Sequence, residues 1–198
     1  MEFESTRGAD TMAAHSPRKL TYEDFAKIPE DGRRHEILDG AHVVTPAPTP
    51  LHQGVSGAIF VALYTFVRER RLGKVFYAPL DVILSDHDIV EPDILFISSA
   101  RVGILTDKNA QGAPDLVVEI LSPGSWRWDL GRKRARYELL GVLEYWVLDP
   151  DGATALLFRR DGECFLSPIR LSAELDERLT TPLLPGLEIP LREVFADS

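Results

Sequence analysis

The chain has 198 residues and carries 22 lysines and arginines against 31 aspartates and glutamates, a net charge of −9 that argues against a general electrostatic hold on nucleic acid. A hydrophobic fraction of 44% beside 27% charged residues fits a soluble globular protein, and the length fits one domain of ordinary size. The single Cys164 excludes an internal disulfide framework. No apolar run approaches the ~20 residues that a bilayer span needs. The N-terminal segment also lacks a secretory hydrophobic core, so a cytoplasmic protein with no membrane partner is expected.

Residues 1 to 18 are small, polar and aperiodic, which predicts a disordered tail ahead of a single domain over residues 19 to 198. Thr21 precedes Tyr22-Glu23-Asp24-Phe25, an N-cap followed by acids, so a short helix runs to about Lys27 and breaks at Pro29-Glu30-Asp31-Gly32. Arg33 to Thr45 reads as two extended runs joined by Asp39-Gly40, a dipeptide suited to a tight hairpin turn. Alternation puts Arg34, Glu36 and Leu38 on one face. Glu36 then either reaches a polar cleft or is a half-exposed strand acid. Pro46, Pro48 and Pro50 form a stiff connection into Leu51-His52. Val55, Ile59, Ala62, Leu63, Phe66 and Val67 recur at helical spacing, which predicts an amphipathic helix over about 51 to 71. His52 falls in its first turn, where a histidine is more often a surface or capping side chain than a ligand.

Gly73 ends that helix, and strands are expected at Lys74 to Tyr77, Asp81 to Leu84 and Pro92 to Ile97. The acidic stretch Ser85 to Glu91 between them reads as a loop that delivers Asp93 to the mouth of a buried strand. Ser98 to Ala113 is aperiodic, a loop with one helical turn. Pro114 to Ser125 organises the rest: an apolar strand containing one acid, Glu119, stops at Ser-Pro-Gly-Ser. An ionised carboxylate inside a sheet costs several kcal/mol unless a cation or hydrogen-bond donors compensate it, so Glu119 requires a partner.

A helix from Arg127 to Leu140 follows, with Asp129, Lys133 and Tyr137 stacked on one face. Its first part carries Arg127, Arg132, Lys133, Arg134 and Arg136 against Asp129 alone, and a second basic cluster, Arg68, Arg70, Arg71 and Lys74, ends the earlier helix. Solvated helix faces explain either cluster as well as a ligand does. Strands at Glu144 to Leu148, Ala153 to Arg159 and around Cys164 to Leu166, with a last short helix in LREVF, complete an α/β domain around a mixed sheet.

Asp93 and Glu119 start and end neighbouring strands, and two carboxylates that converge repel unless a cation lies between them. With no His/Cys cluster at ligand spacing, an oxygen-rich site of this kind suits Mg2+ or Mn2+ rather than zinc. A structural carboxylate-lysine network is the alternative of equal standing.

The run from Leu20 to about Leu166, with RRHEILDG, Pro50-Leu51-His52, EPDILF, APDLVVEILSPGS, DLGRKRARY and EYWVLDP, resembles the Uma-two family of proposed restriction endonucleases, within the PD-(D/E)xK nuclease superfamily. The resemblance implies a restriction-endonuclease-like core, a mixed β-sheet flanked by helices, and a metal-dependent phosphodiesterase site with DNA as substrate. It implies Asp93 and Glu119 as metal ligands with the carbonyl of Ile120 as a third, and Leu121 where the E-x-K lysine would stand. Lys133 is then the replacement, Glu36 the extra upstream acid, and His52 and Tyr137 match polar positions of the family pattern. The basic flank Arg127, Arg132, Arg134 and Arg136 would contact phosphates. A homodimer is the expected way for such an enzyme to address both strands. A catalytically silent nucleic-acid or protein binding module, and a hydrolase of small phosphoesters, are the alternatives.

Overall fold

In the computed structural model, which describes residues 18–122 and 125–196, the chain begins with a single helical turn, α1 (Tyr22–Phe25), fastened where the Thr21 main-chain N–H donates to Asp24 Oδ2 at 3.0 Å. The tail expected over residues 1 to 18 lies outside the described residues except for Arg18, and so does Pro123-Gly124 of the Ser-Pro-Gly-Ser turn. Strands β1 (Arg34–Leu38) and β2 (Ala41–Thr45) form the expected hairpin. Its turn places Asp39 and Gly40 at φ of 52° and 79°, and a Cβ on Gly40 would collide with Lys19, so glycine is required there.

The long helix α2 (Pro50–Arg70) starts with proline at its first position, while the Thr49 hydroxyl accepts from the His52 N–H at 3.2 Å. Next come β3 (Gly73–Tyr77), β4 (Val82–Ser85), β5 (Asp88–Val90), β6 (Ile94–Ser98), the two-residue β7 (Ala110–Gln111) and β8 (Leu116–Ile120). After β8 the chain winds through a π-helical stretch, Trp128–Lys133, directly into α3 (Arg134–Leu139). The remainder is β9 (Glu144–Asp149), β10 (Thr154–Asp161), β11 (Cys164–Phe165), β12 (Ile169–Ser172), β13 (Arg178–Leu179), β14 (Ile189–Pro190) and α4 (Leu191–Val194).

The larger sheet runs β11-β10-β9-β8-β6-β3, with β12 also paired to β10; the smaller runs β2-β1-β5-β4-β7. β8 and β9 are parallel, as a strand-helix-strand crossover requires, and β6 and β8 are antiparallel. Both faces of the larger sheet are covered. Ile94, Phe96, Val118 and Ile120 pack with Val55, Ile59, Leu63 and Val67 of α2, whereas Leu95, Ile97 and Val117 pack with Leu38, Val90 and Tyr137 on the opposite side. Burying each of those four α2 side chains contributes about 1.5–3 kcal/mol. Because strand residues alternate, Glu119 and the residue before Ile94 point to the second side, between the two sheets.

The structure corrects four expectations. The acidic stretch Ser85 to Glu91 contains β5, whose Asp88, Ile89 and Val90 are buried; the Asp88 charge that suggested a loop is neutralised by Arg136. α2, with 21 residues, is long and apolar enough to cross a bilayer, contrary to the reading that no segment approaches that length. Its Val55, Ile59, Leu63 and Val67 are buried against the sheet, the packing of a core helix. The helix expected over Arg127 to Leu140 divides into π-helical and α-helical parts. Short β7 stands in the stretch expected to be a loop, and β12, β13 and β14 stand where no strand was expected.

Candidate active site

The register Ile94 opposite Val118 brings Asp93, one residue ahead of β6, beside Glu119 of β8. Glu36 reaches the same place from β1, His52 from the first turn of α2, and Asp129 and Lys133 from the π-helical stretch. All six are buried, and together with Arg34, Ile120 and Trp128 they line a cavity of about 190 Å3.

Lys133 Nζ stands at the centre of the acids, 3.0 Å from Glu119 Oε1, 3.0 Å from Glu36 Oε1 and 3.8 Å from Asp129 Oδ1. Glu119 Oε1 also accepts from the Tyr137 hydroxyl at 2.9 Å, and Glu36 Oε1 from the Glu91 N–H at 3.0 Å. Asp93 is held from three directions. Arg34 Nη1 donates to its Oδ1 at 2.8 Å, while the Ile120 N–H at 2.8 Å and His52 Nε2 at 3.0 Å converge on Oδ2. The His52 contact places the ring proton on Nε2 if Asp93 is ionised. Two buried atoms of this cluster are left without a hydrogen-bond partner among the described residues, Glu36 Oε2 and His52 Nδ1.

Charge explains the titration of the cluster. Four carboxylates share one ammonium and one guanidinium. Burial opposes the charge on Lys133, yet Glu119, Glu36 and Asp129 outweigh it and hold the ammonium above the ordinary lysine range. Burial pushes the Glu119 carboxyl up, with Lys133 opposing and Asp93, Asp129 and Glu36 reinforcing the rise. Burial would also lift Asp93, but the His52 hydrogen bond, the Arg34 charge and the Ile120 amide hold it below the usual carboxylate range. The excess of acid therefore falls on Glu119 and on Asp129, whose carboxyl burial likewise pushes up.

Whether this set suits a divalent cation can be judged from its donors. Every unsatisfied or surplus-charged group facing the cavity, apart from His52 Nδ1, is a carboxylate oxygen, and Glu36 Oε2 lacks a donor. Hard oxygen donors with surplus negative charge fit Mg2+ or Mn2+. Among the described residues no group of three or more His, Cys, Asp or Glu is arranged to hold an ion. The fit thus rests on the Asp93-Glu119 pair rather than on a ready-made cage.

Of the residues singled out in the sequence, Asp93, Glu119, Lys133, Glu36 and His52 come together, with Ile120 at the cavity wall. Glu36 is fully buried rather than a half-exposed strand acid, and His52 is 7% exposed rather than a surface side chain. The basic flank does not assemble. Arg136 is committed to Asp88, at 2.7 and 2.5 Å, and Arg134 lies by Glu138 and over the Phe158 ring. Arg127 and Arg132 lie over Trp126 and Trp128. Arg34 and Asp129 joined the site without having been singled out. Their signal was present, since each shares a face with a chosen residue, Arg34 with Glu36 and Asp129 with Lys133.

The α/β core thus sets one acid just ahead of β6, another on the adjacent β8, and a lysine over them from the π-helical stretch that follows. The family model Uma2, described as "Putative restriction endonuclease", matches residues 22–192, and the chain belongs to that family. The fold is shared with a crystal structure from Anabaena variabilis described as "a putative nuclease belonging to DUF820": TM-score 0.76 and 21% identity over 89% of this chain and 98% of that one. No curated protein matches the sequence.

Proposed function

We propose that the chain is a Mg2+- or Mn2+-dependent endonuclease that hydrolyses phosphodiester bonds in DNA. The observation that carries this reading is the Asp93-Glu119 pair on adjacent strands, with Lys133 Nζ 3.0 Å from Glu119. Lysine at this place does the work that Leu121 cannot, since Leu121 packs with the apolar side chains between the sheets. Asp93 and Glu119, with the Ile120 carbonyl, would hold the ion, which supplies charge to the phosphoryl oxygens and acidifies the attacking water.

The remaining roles follow from the side chains. Lys133 stays protonated, so it orients water and stabilises charge growing on the phosphoryl group as a hydrogen-bond donor, not as a base. Glu36, whose buried Oε2 has no hydrogen-bond donor among the described residues, is the carboxylate assigned to take the proton of the attacking water. As the water oxygen bonds to phosphorus, the P–O bond to the leaving alkoxide breaks, and that oxygen takes its proton from solvent. His52 and Arg34 fix the rotamer and ionisation of Asp93.

Nicking of supercoiled plasmid in the presence of Mg2+ or Mn2+ tests the assignment. Wild type is expected to nick, and Asp93→Ala to lose activity while keeping its circular dichroism spectrum. Undiminished nicking by that variant overturns it. One observation favours a second reading: Lys133 already neutralises part of the acid cluster. A silent binding module predicts that DNA is bound without Mg2+ and is not nicked at any metal concentration.

A further inference from the structure

Arg34, His52 and Asp93, with Pro46 and Pro48, form a wall that has a cavity on each side. Behind it lies a second and larger cavity of about 790 Å3, in the range of small-molecule binding sites. Its lining combines flat apolar surfaces with acids. Phe25, Ile28 and Pro79 contribute to the first kind, and so does Tyr77, 60% exposed and steadied by an edge contact with Phe60 at 4.8 Å.

Its acids are Glu30, Asp81, Glu91 and Asp93, the last already held by Arg34, His52 and the Ile120 amide. Glu91 is 9% exposed, and no described residue donates a hydrogen bond to its carboxylate or to that of Asp81; only the Glu91 main-chain N–H is used, by Glu36. A carboxylate with no protein donor keeps its full capacity for a ligand's donors, and Arg34, whose charge acts on Glu91, is already paired with Asp93. Donors such as Arg33, Gln53 and Ser56 also line the cavity, but no described residue bonds the Glu91 or Asp81 carboxylate, so beside the stacking surface these two acceptors are left to a ligand.

A flat heterocycle with N–H donors on its edge complements such a lining. Among the DNA bases guanine alone offers two adjacent donors on its Watson-Crick edge, N1–H and the 2-amino group, and one carboxylate accepts both. Adenine and cytosine set an acceptor beside their donor, and thymine flanks its donor with acceptors, which a carboxylate repels. The edge concerned is occupied in a duplex, so the base must be unpaired.

We propose that the second cavity receives an unpaired guanine, Glu91 accepting from its Watson-Crick edge with Asp81 beside it and Tyr77 against its face. Where cleavage is concerned the inference rests on the nuclease reading above: a phosphate at Asp93 and Glu119 has the base of its own nucleotide across the shared wall. The substrate is then single-stranded or distorted DNA with guanine next to the scissile phosphate.

Direct binding separates this inference from the nuclease reading. Calorimetric titration at pH 8 with dGMP, dAMP, dCMP and TMP is expected to show dGMP binding at least ten-fold tighter than the others. Glu91→Gln should weaken dGMP about ten-fold or more, and Tyr77→Ala, on the exposed side of the cavity, should weaken all four nucleotides. Equal binding of the four, no binding of dGMP, or dGMP affinity unchanged in both variants overturns the pocket. If dGMP binds as expected but no oligonucleotide is cut, the pocket stands and the nuclease reading falls. Asp93-dependent cutting that is indifferent to guanine and to strand pairing upholds the nuclease reading and overturns the role given to guanine beside the scissile phosphate.

Discussion

Lys133 is the residue on which the buried acids depend. It touches Glu119 and Glu36 at 3.0 Å each, and its side chain is 5% exposed. Removing one partner of a buried ion pair leaves uncompensated charge, which costs about 3–5 kcal/mol. Lys133→Met is accordingly expected to lower unfolding free energy by that amount in urea titrations at pH 7. Adding Glu36→Gln to the same chain should return part of the loss, because one of the stranded charges is gone. Equal stability of Lys133→Met and wild type would show that the lysine compensates nothing. The need for such a partner was legible from Glu119 alone, an acid in an otherwise apolar strand. Arg34 was legible only as a residue sharing a face with Glu36; its partner Asp93 shows once β1 is laid beside the mouth of β6.

At the level of elements, β5 has the same lesson in reverse. Asp86, Asp88 and Glu91 make its sequence look like a solvated loop, yet Asp88 is fully buried and receives Arg136 from α3, the Asp39 N–H and the Ser85 hydroxyl. Long-range pairing of this kind leaves no local periodicity. Helix α2 and the Asp39-Gly40 hairpin were legible because their signals, spacing and turn chemistry, are local. The π winding of Trp128–Lys133 was not, since no residue type specifies it.

The Arg136-Asp88 pair also sets a pH response. Burial would raise Asp88, but Arg136, Ser85 and the Asp39 amide hold its carboxyl below the ordinary 3.8. A depressed carboxyl contributes stability that is complete above its unfolded value and is lost as pH falls through its folded one. Wild type should therefore lose stability to Arg136→Ala by about 3 kcal/mol at pH 7. The gap should narrow below about pH 4, as Asp88 protonates in both proteins. Thermal melts of the two proteins between pH 7 and pH 2.5 measure that gap; a constant difference would contradict the ion-pair account.

For the molecule as a whole, a net charge of −9 allows DNA only a local foothold. With Arg136 consumed internally, Arg127, Arg132 and Arg134 remain of the expected basic flank. Three phosphate contacts give a slope of about −3 in a plot of log affinity against log salt for duplex, and about −2 for single strands. Fluorescence anisotropy from 25 to ~200 mM salt reads it, and Arg127→Ala with Arg132→Ala should flatten the slope by about 2 on duplex DNA. An unchanged slope would place the phosphates elsewhere. The restriction-endonuclease-like architecture itself was readable through the resemblance of several motifs at once. The pocket of Asp81 and Glu91 was not, because Asp81 lies outside those strings and Glu91 enters them only as the first residue of EPDILF, ahead of Asp93.

The two cavities share part of their lining. Asp93, Arg34 and His52 face both sides, so an occupant of either cavity meets the same carboxylate and the same guanidinium. Two ligands that share a contact this way are linked thermodynamically: the factor by which the first alters the affinity of the second equals the factor in the opposite direction. A cation that drew on Asp93 would loosen its hold on Arg34, and an occupant of the second cavity that drew on Arg34 would free Asp93. The two compartments would then sense each other through these shared side chains.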